Sequence, residues 1–184
     1  MNVIRRSSNH FGLLLLCILL GTGFASSSSS QAQSAQTASS QTASAAAFEK
    51  IKSLAGTWEA NAGTGKVTST FRVTSGGTAV VETFMSPDEG EMVTIYTLDG
   101  SRVLLTHYCD TGNQPRMQAA SYDSKTNQIA FGFLDATGLT SPNDPHMHQV
   151  VFTFTSANEH SENWSFFKDG KSSMVVPITF HRVS

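Results

Sequence analysis

Charged residues are scarce in this sequence: Asp, Glu, Lys and Arg make up 14% of its 184 residues, and the formal net charge is -2. The chain contains no block of like charges. A nucleic-acid-binding surface requires clustered Lys and Arg, and attraction to an anionic membrane requires a positive field. The composition therefore argues against both kinds of partner.

Cysteine is rarer still, with Cys17 and Cys109 the two examples in the chain. Cys17 lies within the apolar run from Phe11 to Leu20, which follows the basic pair Arg5-Arg6. This run is too short for a membrane span, which needs about 20 residues, and its flanks are typical of an export signal. Removal of the signal would leave Cys109 alone, so we expect no internal disulfide even in an oxidising compartment.

The predicted signal peptide covers residues 1–25, because Gly23-Phe24-Ala25 supplies the small residues that a cleavage site needs. Residues 26–47 follow, and they are almost entirely Ser, Gln, Ala and Thr. With no aromatic residue and no apolar period, this segment predicts a disordered spacer. Cleavage after Ala32 or Ala35 is an alternative. We expect a periplasmic or extracellular protein without stable membrane insertion.

Ordered structure is predicted for residues 48–184. Phe48, Ile51 and Leu54 recur at helical spacing, and Gly56 ends the short helix that they indicate. Beyond it, apolar residues alternate with polar ones, which is typical of strands. Gly76-Gly77 and Asp99-Gly100 are hairpin signals between such strands.

The alternating pattern divides into ten strands, mostly in simple succession. Closure of such a meander removes its exposed edges. The predicted fold class is therefore all-β, a single antiparallel up-and-down barrel with a short N-terminal helix. A two-sheet sandwich is the alternative. A ten-stranded barrel is wide enough to hold a small ligand.

The segment Leu54-Ala55-Gly56-Thr57-Trp58 resembles the Gly-x-Trp opening of calycins, the lipocalin and fatty-acid-binding-protein superfamily. The resemblance implies that Trp58 packs across the barrel floor and that Arg182, on the last strand, stacks on it. Nitrobindin-type heme barrels share the Gly-Thr-Trp opening and the ten strands, without a wider match to their heme-binding segments.

The chain from Phe48 to Val183 also resembles a family of uncharacterised exported bacterial proteins with a calycin-like barrel. That resemblance rests on Gly-Thr-Trp, on Thr106-His107-Tyr108-Cys109 with Gly112-Asn113-Gln114-Pro115-Arg116-Met117, and on His146-Met147-His148. It implies the fold and leaves the function open.

Four side chains are candidates for a site, because residues two apart on a strand share a face. His107 and Cys109 share the face of Val103 and Leu105, and His146 and His148 share that of Val150. Both faces look core-directed, so we expect the four groups to meet at one end of the barrel. Imidazole and thiolate are ligands for Zn(II), and one histidine could ligate heme. The alternative is that these groups hydrogen-bond to the loops 110–115 and 137–145.

Two more residues are predicted to contact a ligand. Arg116 could fork onto a carboxylate or phosphate, although a pairing with Asp110, Asp135 or Asp144 is the favoured interpretation. Trp164 alternates with polar residues and is expected to point inward, whereas His160 and His181 are interpreted as rim or surface residues.

The function predicted from these patterns is an exported barrel that holds a small apolar or amphipathic ligand. One alternative is a metal or heme site formed by His107, Cys109, His146 and His148. Another is a secreted enzyme that uses either a metal-bound water or Cys109 as a nucleophile with His107 or His146. No thiol-enzyme signature surrounds Cys109 and Gly-x-Ser-x-Gly is absent, so we favour binding over catalysis.

Overall fold

The computed structural model describes residues 28–183 and contains one long helix followed by ten strands. The helix is α1 (Ser28–Lys52), and a single 3-10 turn, Ser75–Gly77, joins the second and third strands. The strands are β1 (Gly56–Ala62), β2 (Gly65–Thr74), β3 (Ala79–Ser86), β4 (Gly90–Asp99), β5 (Arg102–Tyr108), β6 (Gln114–Ala119), β7 (Gln128–Thr137), β8 (His146–Ser156), β9 (Glu159–Lys168) and β10 (Lys171–Arg182).

Each strand pairs with the next in antiparallel register, and β1 pairs with β10, so the sheet closes into a barrel. The predicted ten-stranded antiparallel barrel is confirmed, and the sandwich alternative is wrong. Alternating residues fill the interior, as the period of two requires. The fully buried side chains include Val67, Phe71, Val80, Tyr96, Val103, Leu105, Met117, Ile129, Phe131, Val150, Phe152 and Phe180.

Helix α1 covers one end of the barrel through its last turns. Phe48, Ile51 and Leu54 are buried in the core cluster, as their helical spacing predicts. The Nζ atom of Lys50 lies 5.2 Å from the ring centroid of Tyr122 and 5.0 Å from that of Phe154. These contacts attach the helix to the barrel through apolar burial and cation–π attraction.

The helix is much longer than predicted, and residues 28–47 are helical where the sequence indicated a disordered spacer. Ala47 is fully buried, and the Oγ atom of the buried Ser44 donates to the carbonyl oxygen of Gly100, 2.8 Å away, in the β4–β5 turn. The apolar turns at the C-terminal end provide a helical nucleus, and the Ala-rich segment before it can propagate from there at little cost. Small side chains also let the helix lie close to the barrel.

The barrel floor has the arrangement that the calycin resemblance implies. Trp58 is buried, and the guanidinium carbon of Arg182 lies 4.1 Å from the centroid of its ring. Arg182 also donates Nη1 to the Ala55 carbonyl at 2.7 Å and Nη2 to the Ser53 carbonyl at 2.9 Å. The last strand is thereby tied to the segment that joins α1 to β1.

Residues 1–27 and Ser184 lie outside the described residues. The predicted signal peptide and its cleavage site after Ala25 are therefore still predictions. Among residues 28–183, no helix is both long enough and apolar enough to cross a membrane.

Candidate ligand-binding cavity

A cavity lies inside the barrel toward the end opposite α1. The β3–β4 turn contributes Glu89 to its mouth, whereas α1 contacts the β4–β5 turn at the other end. The side chains that line it come from six strands and this turn: Glu82, Phe84, Glu89, Met92, Thr94, His107, Met147, Glu162, Trp164, Val176 and Ile178.

The cavity is narrow. Its volume is about 40 Å³. A single water requires roughly 10–15 Å³ on this measure, so the cavity has room for a ligand of a few heavy atoms.

His107, on β5, lines this cavity and has one ring nitrogen without a partner among the described residues. Its Nδ1 atom is 3.0 Å from the Oγ1 atom of Thr94, and its ring centroid is 4.8 Å from that of Trp164. Its Nε2 atom is buried and has no hydrogen-bond partner within residues 28–183. Burial lowers the pKa of His107 to about 4, against a smaller opposing effect of Asp110. The imidazole is therefore neutral at pH 7.

Glu82, on β3, is a carboxyl group buried deep in the cavity. Ser69 donates to its Oε1 atom at 2.7 Å, and the phenol of Tyr96 donates to its Oε2 atom at 2.6 Å. Burial, and then the nearby Glu162, raise the pKa of Glu82 to about 8, although both hydrogen bonds oppose the rise. Glu82 is therefore mostly protonated at pH 7.

Glu162, on β9, is the second buried carboxyl group. The indole Nε1 of Trp164 is 2.9 Å from its Oε2 atom, and the Nε2 of His160 is 3.1 Å from its Oε1 atom. Burial raises the pKa of Glu162 to about 7 and lowers that of His160 to about 4. His160 is consequently neutral wherever Glu162 is ionised, so their contact is a hydrogen bond of a neutral imidazole and not an ion pair.

The location of His160 corrects the prediction that it is a rim or surface residue. Its side chain is 1% exposed, and its ring centroid lies 4.4 Å from that of Trp58 and 5.2 Å from that of Phe180. His181, by contrast, is exposed, as predicted. Trp164 points inward, also as predicted.

The expected convergence of His107 with His146 and His148 does not occur. The pairing of β8 with β9 shifts between Met147 and Gln149, so His148 has no partner in the ladder. Such a bulge changes which residues face inward on its two sides. Met147 therefore lines the cavity with His107, whereas His146 and His148 line a separate pocket beside the loop 138–145.

In that second pocket, His148 lies between two phenylalanine rings. Its ring centroid is 3.7 Å from that of Phe167 and 4.5 Å from that of Phe133. His146 bridges His148 and the loop, with Nε2 3.0 Å from the Nδ1 of His148 and Nδ1 2.7 Å from the carbonyl oxygen of Asp144. These contacts match the alternative interpretation, in which the two histidines hold the loop.

Cys109 and Arg116 are likewise not among the residues that line the cavity. The Cys109 thiol is buried, and burial raises its pKa, so it lacks the character of an activated nucleophile. Arg116 forms a two-pronged ion pair with Asp135 on the exposed side of the sheet, which is the favoured interpretation. Among the described residues, no group of three or more His, Cys, Asp or Glu is arranged to hold a metal ion.

Comparisons with known proteins bear on the fold. No protein-family model and no curated protein matches this chain. The solved structure of Rv2717c from M. tuberculosis is similar, with a TM-score of 0.55 and 14% identity, over 75% of this chain and 98% of that one. A protein of unknown function in the DUF3598 family, from Nostoc punctiforme, gives a TM-score of 0.49 and 16% identity, over 72% of this chain and 49% of that one. The likeness to Rv2717c shows the fold alone.

Proposed function

We propose that this chain is an exported calycin-like barrel that binds a small amphipathic molecule in its interior cavity. The observation that carries the proposal is the Nε2 atom of His107, which is buried at the cavity wall without a partner. The proposed ligand supplies the missing hydrogen bond.

An unpaired buried polar atom is costly, because it has lost water without gaining a replacement. The penalty is about 1–3 kcal/mol, and most buried polar atoms avoid it by pairing. His146 uses both of its ring nitrogens. His160, which is packed among core rings, leaves its Nδ1 atom unpaired among the described residues, but it does not line the cavity. The position of His107 at the cavity wall is therefore what distinguishes its unpaired nitrogen. His107 uses Nδ1 alone within the described residues, which favours a binding role for its other nitrogen.

The rest of the lining has the character of a ligand pocket. Such pockets are mostly apolar with a few directed polar groups. Phe84, Met92, Val176 and Ile178 supply apolar walls here. The small free volume favours a slender molecule, and it is far below what a heme would require inside the barrel. The proposed ligand is therefore smaller than a heme.

Export is part of the proposal and is supported by the signal pattern of residues 1–25. An exported binding barrel would meet its ligand in the periplasm or outside the cell. We propose no nucleic-acid partner, because clustered basic residues are absent from the sequence.

The test is to identify what the cavity retains. The chain from Ser26 to Ser184 is purified untagged, extracted, and analysed for small molecules by mass spectrometry, together with His107→Leu and the exposed control His181→Leu. We expect a molecule of a few heavy atoms with wild type and His181→Leu that is depleted with His107→Leu. Equal retention by all three proteins would refute binding at His107.

If the ligand is lost on purification, the same three proteins are screened for stabilisation by small polar molecules. A ligand that binds only the native state raises the melting temperature. Stabilisation that requires His107 supports the proposal, and stabilisation that persists in His107→Leu contradicts it.

A further inference from the structure

We propose that the cavity selects a small protonated amine, a cation with N–H donors and a short apolar body. The proposal rests on the function proposed above and adds the chemical class of the ligand. It follows from the hydrogen-bonding character, the charge and the shape of the lining.

The polar side chains that line the cavity are mostly carboxyl groups, which accept hydrogen bonds when they are ionised. Glu82, Glu162 and, at the mouth, Glu89 present carboxyl groups. Among the described residues, the lining includes no Lys, Arg, Asn or Gln. The indole N–H of Trp164 is a donor, but it is used on Glu162. A ligand that donates hydrogen bonds therefore suits this cavity.

A chain of hydrogen bonds through the hydroxyl groups of Thr94 and Tyr96 connects His107 to Glu82. The Tyr96 phenol donates to Glu82, and the side chain of Thr94 hydrogen-bonds to Tyr96. When Thr94 donates toward Tyr96, its oxygen accepts the Nδ1–H of His107, 3.0 Å away. This direction leaves a lone pair on Nε2, which is the buried atom without a partner. The donation from Tyr96 to Glu82 favours this direction, because the phenol oxygen can then accept from Thr94.

The two buried carboxyl groups lack a cation among the described residues. Glu82 and Glu162 oppose each other's ionisation, and His160 beside them is held neutral by its burial. Desolvated carboxylates require a counter-charge. An ammonium group at this place would allow one or both acids to ionise, and each ionisation releases one proton to solvent. Binding near pH 7 is therefore coupled to proton release, because the pKa values of about 8 and about 7 leave both groups at least partly protonated beforehand.

The walls favour a cation over a neutral donor. Trp164 and Phe84 supply aromatic rings, and rings attract cations through their negative faces. Met92 and Met147 are flexible side chains that adapt to an alkyl group. An anion is disfavoured, since it would meet three carboxyl groups and no positive side chain in the described lining. The free volume limits the body of the amine to a few carbons.

The test compares three probes of similar size: n-propylammonium, 1-propanol and propionate. Each is titrated by calorimetry at pH 7 into the chain from Ser26 to Ser184, in two buffers of different ionisation enthalpy. We expect n-propylammonium to bind at least about tenfold tighter than 1-propanol, which is the effect of about 1.4 kcal/mol expected from one charge-assisted hydrogen bond. We expect no binding of propionate, and a net release of protons with the amine.

Substitutions of single glutamates show which carboxyl group binds the amine. Glu162→Gln should weaken n-propylammonium about tenfold and leave 1-propanol unchanged, whereas the exposed Glu91→Gln on β4 should change neither. If Glu162→Gln does not fold, Glu89→Gln at the exposed mouth replaces it, with an expected weakening of about two- to fivefold.

Two results would overturn the amine assignment in different ways. If 1-propanol or propionate binds as tightly as the amine, and His107→Leu abolishes that binding, the ligand class is wrong while the proposed function stands. If none of the three probes binds, the amine assignment also fails, and retention of a molecule by wild type but not by His107→Leu decides the proposed function separately.

Discussion

His107 packs against Trp164 inside the barrel, with ring centroids 4.8 Å apart, and each ring is held by a hydrogen bond to a different side chain. Thr94 binds the imidazole, and Glu162 binds the indole. The pair therefore fixes one free nitrogen and one aromatic wall at the same cavity. Their positions come from β5 and β9, which are not neighbours in the sheet and meet only because the barrel is closed.

The first prediction concerns the cost of that free nitrogen. His107→Leu removes an unpaired buried nitrogen and also the partner of Thr94, so the two effects on stability oppose each other. We expect the free energy of unfolding of the unliganded protein to change by less than about 1 kcal/mol. Urea unfolding measures it. A loss of several kcal/mol would assign His107 a mainly structural role.

The second prediction is that stability falls between pH 6.5 and 8. Burial raises the pKa of Glu82 to about 8 and that of Glu162 to about 7, well above the ordinary value for a glutamate, so each favours the folded state less as pH rises through that interval. Burial lowers the pKa of His107 and of His160 to about 4 from the ordinary histidine value of 6.5, so their contribution to stability is lost as pH falls from 6.5 to 4. Below pH 6.5 the two glutamates and the two histidines change the stability in opposite directions with pH. Above pH 6.5 only the two glutamates of this group change it.

The expected fall from pH 6.5 to 8 is on the order of 2–3 kcal/mol, at about 1.4 kcal/mol per proton and pH unit. Glu82→Gln should remove more than half of it, because Glu82 has the higher pKa. Urea unfolding at several pH values in wild type, Glu82→Gln and the exposed control Glu91→Gln measures the effect. A profile that rises over this interval would contradict the assigned protonation states.

The third prediction concerns the barrel floor. Arg182→Ala removes the stack on Trp58 and bonds to the carbonyls of Ser53 and Ala55. We expect a loss of about 2–4 kcal/mol, from charge-assisted bonds and the cation–π contact together. Urea unfolding measures it, with the exposed Arg72→Ala as control. If the two variants are equally stable, the contacts of Arg182 at the barrel floor contribute nothing to the free energy of unfolding.

The fourth prediction separates the two halves of α1. Residues 31–39 are exposed, whereas Ser44 and Ala47 are buried against the barrel. A chain that begins at Gln41 should keep the melting temperature of the chain that begins at Ser26, and one that begins at Phe48 should melt several degrees lower. Equal melting of all three would mean that the helix before Phe48 does not pack on the barrel.

The fold was predictable because its signals are local and repeated. Period-two alternation and Gly-containing turns indicate each strand, and the number of strands leads to closure. The length of α1 was not predictable in the same way, because Ala-rich sequence is compatible with disorder until a packed end nucleates the helix. Ser44 and Ala47 are buried by the tertiary fold and not by any apolar period.

The site was predictable only in part. The inward direction of His107 and Trp164 follows from the alternation of side chains along a strand. The bulge at His148 reverses this alternation for His146-Met147-His148, and the amino-acid composition does not indicate a bulge there. His160 and Glu162 were missed although they share a strand face with Trp164. Glu82 likewise shares a face with Val80. Glutamate side chains are usually exposed to solvent, so Glu82 and Glu162 were not expected inside the barrel. The general rule fails here because the two side chains line a polar cavity.

The most direct test of the central claim is a histidine side-chain nitrogen NMR spectrum, recorded from pH 5 to 8 with and without n-propylammonium. We expect His107 to stay neutral with its proton on Nδ1 throughout, and its Nε2 signal to move when the amine is added. A His107 that titrates near pH 6.5, or an Nε2 signal that no small ligand perturbs, would contradict a buried acceptor that faces a binding cavity.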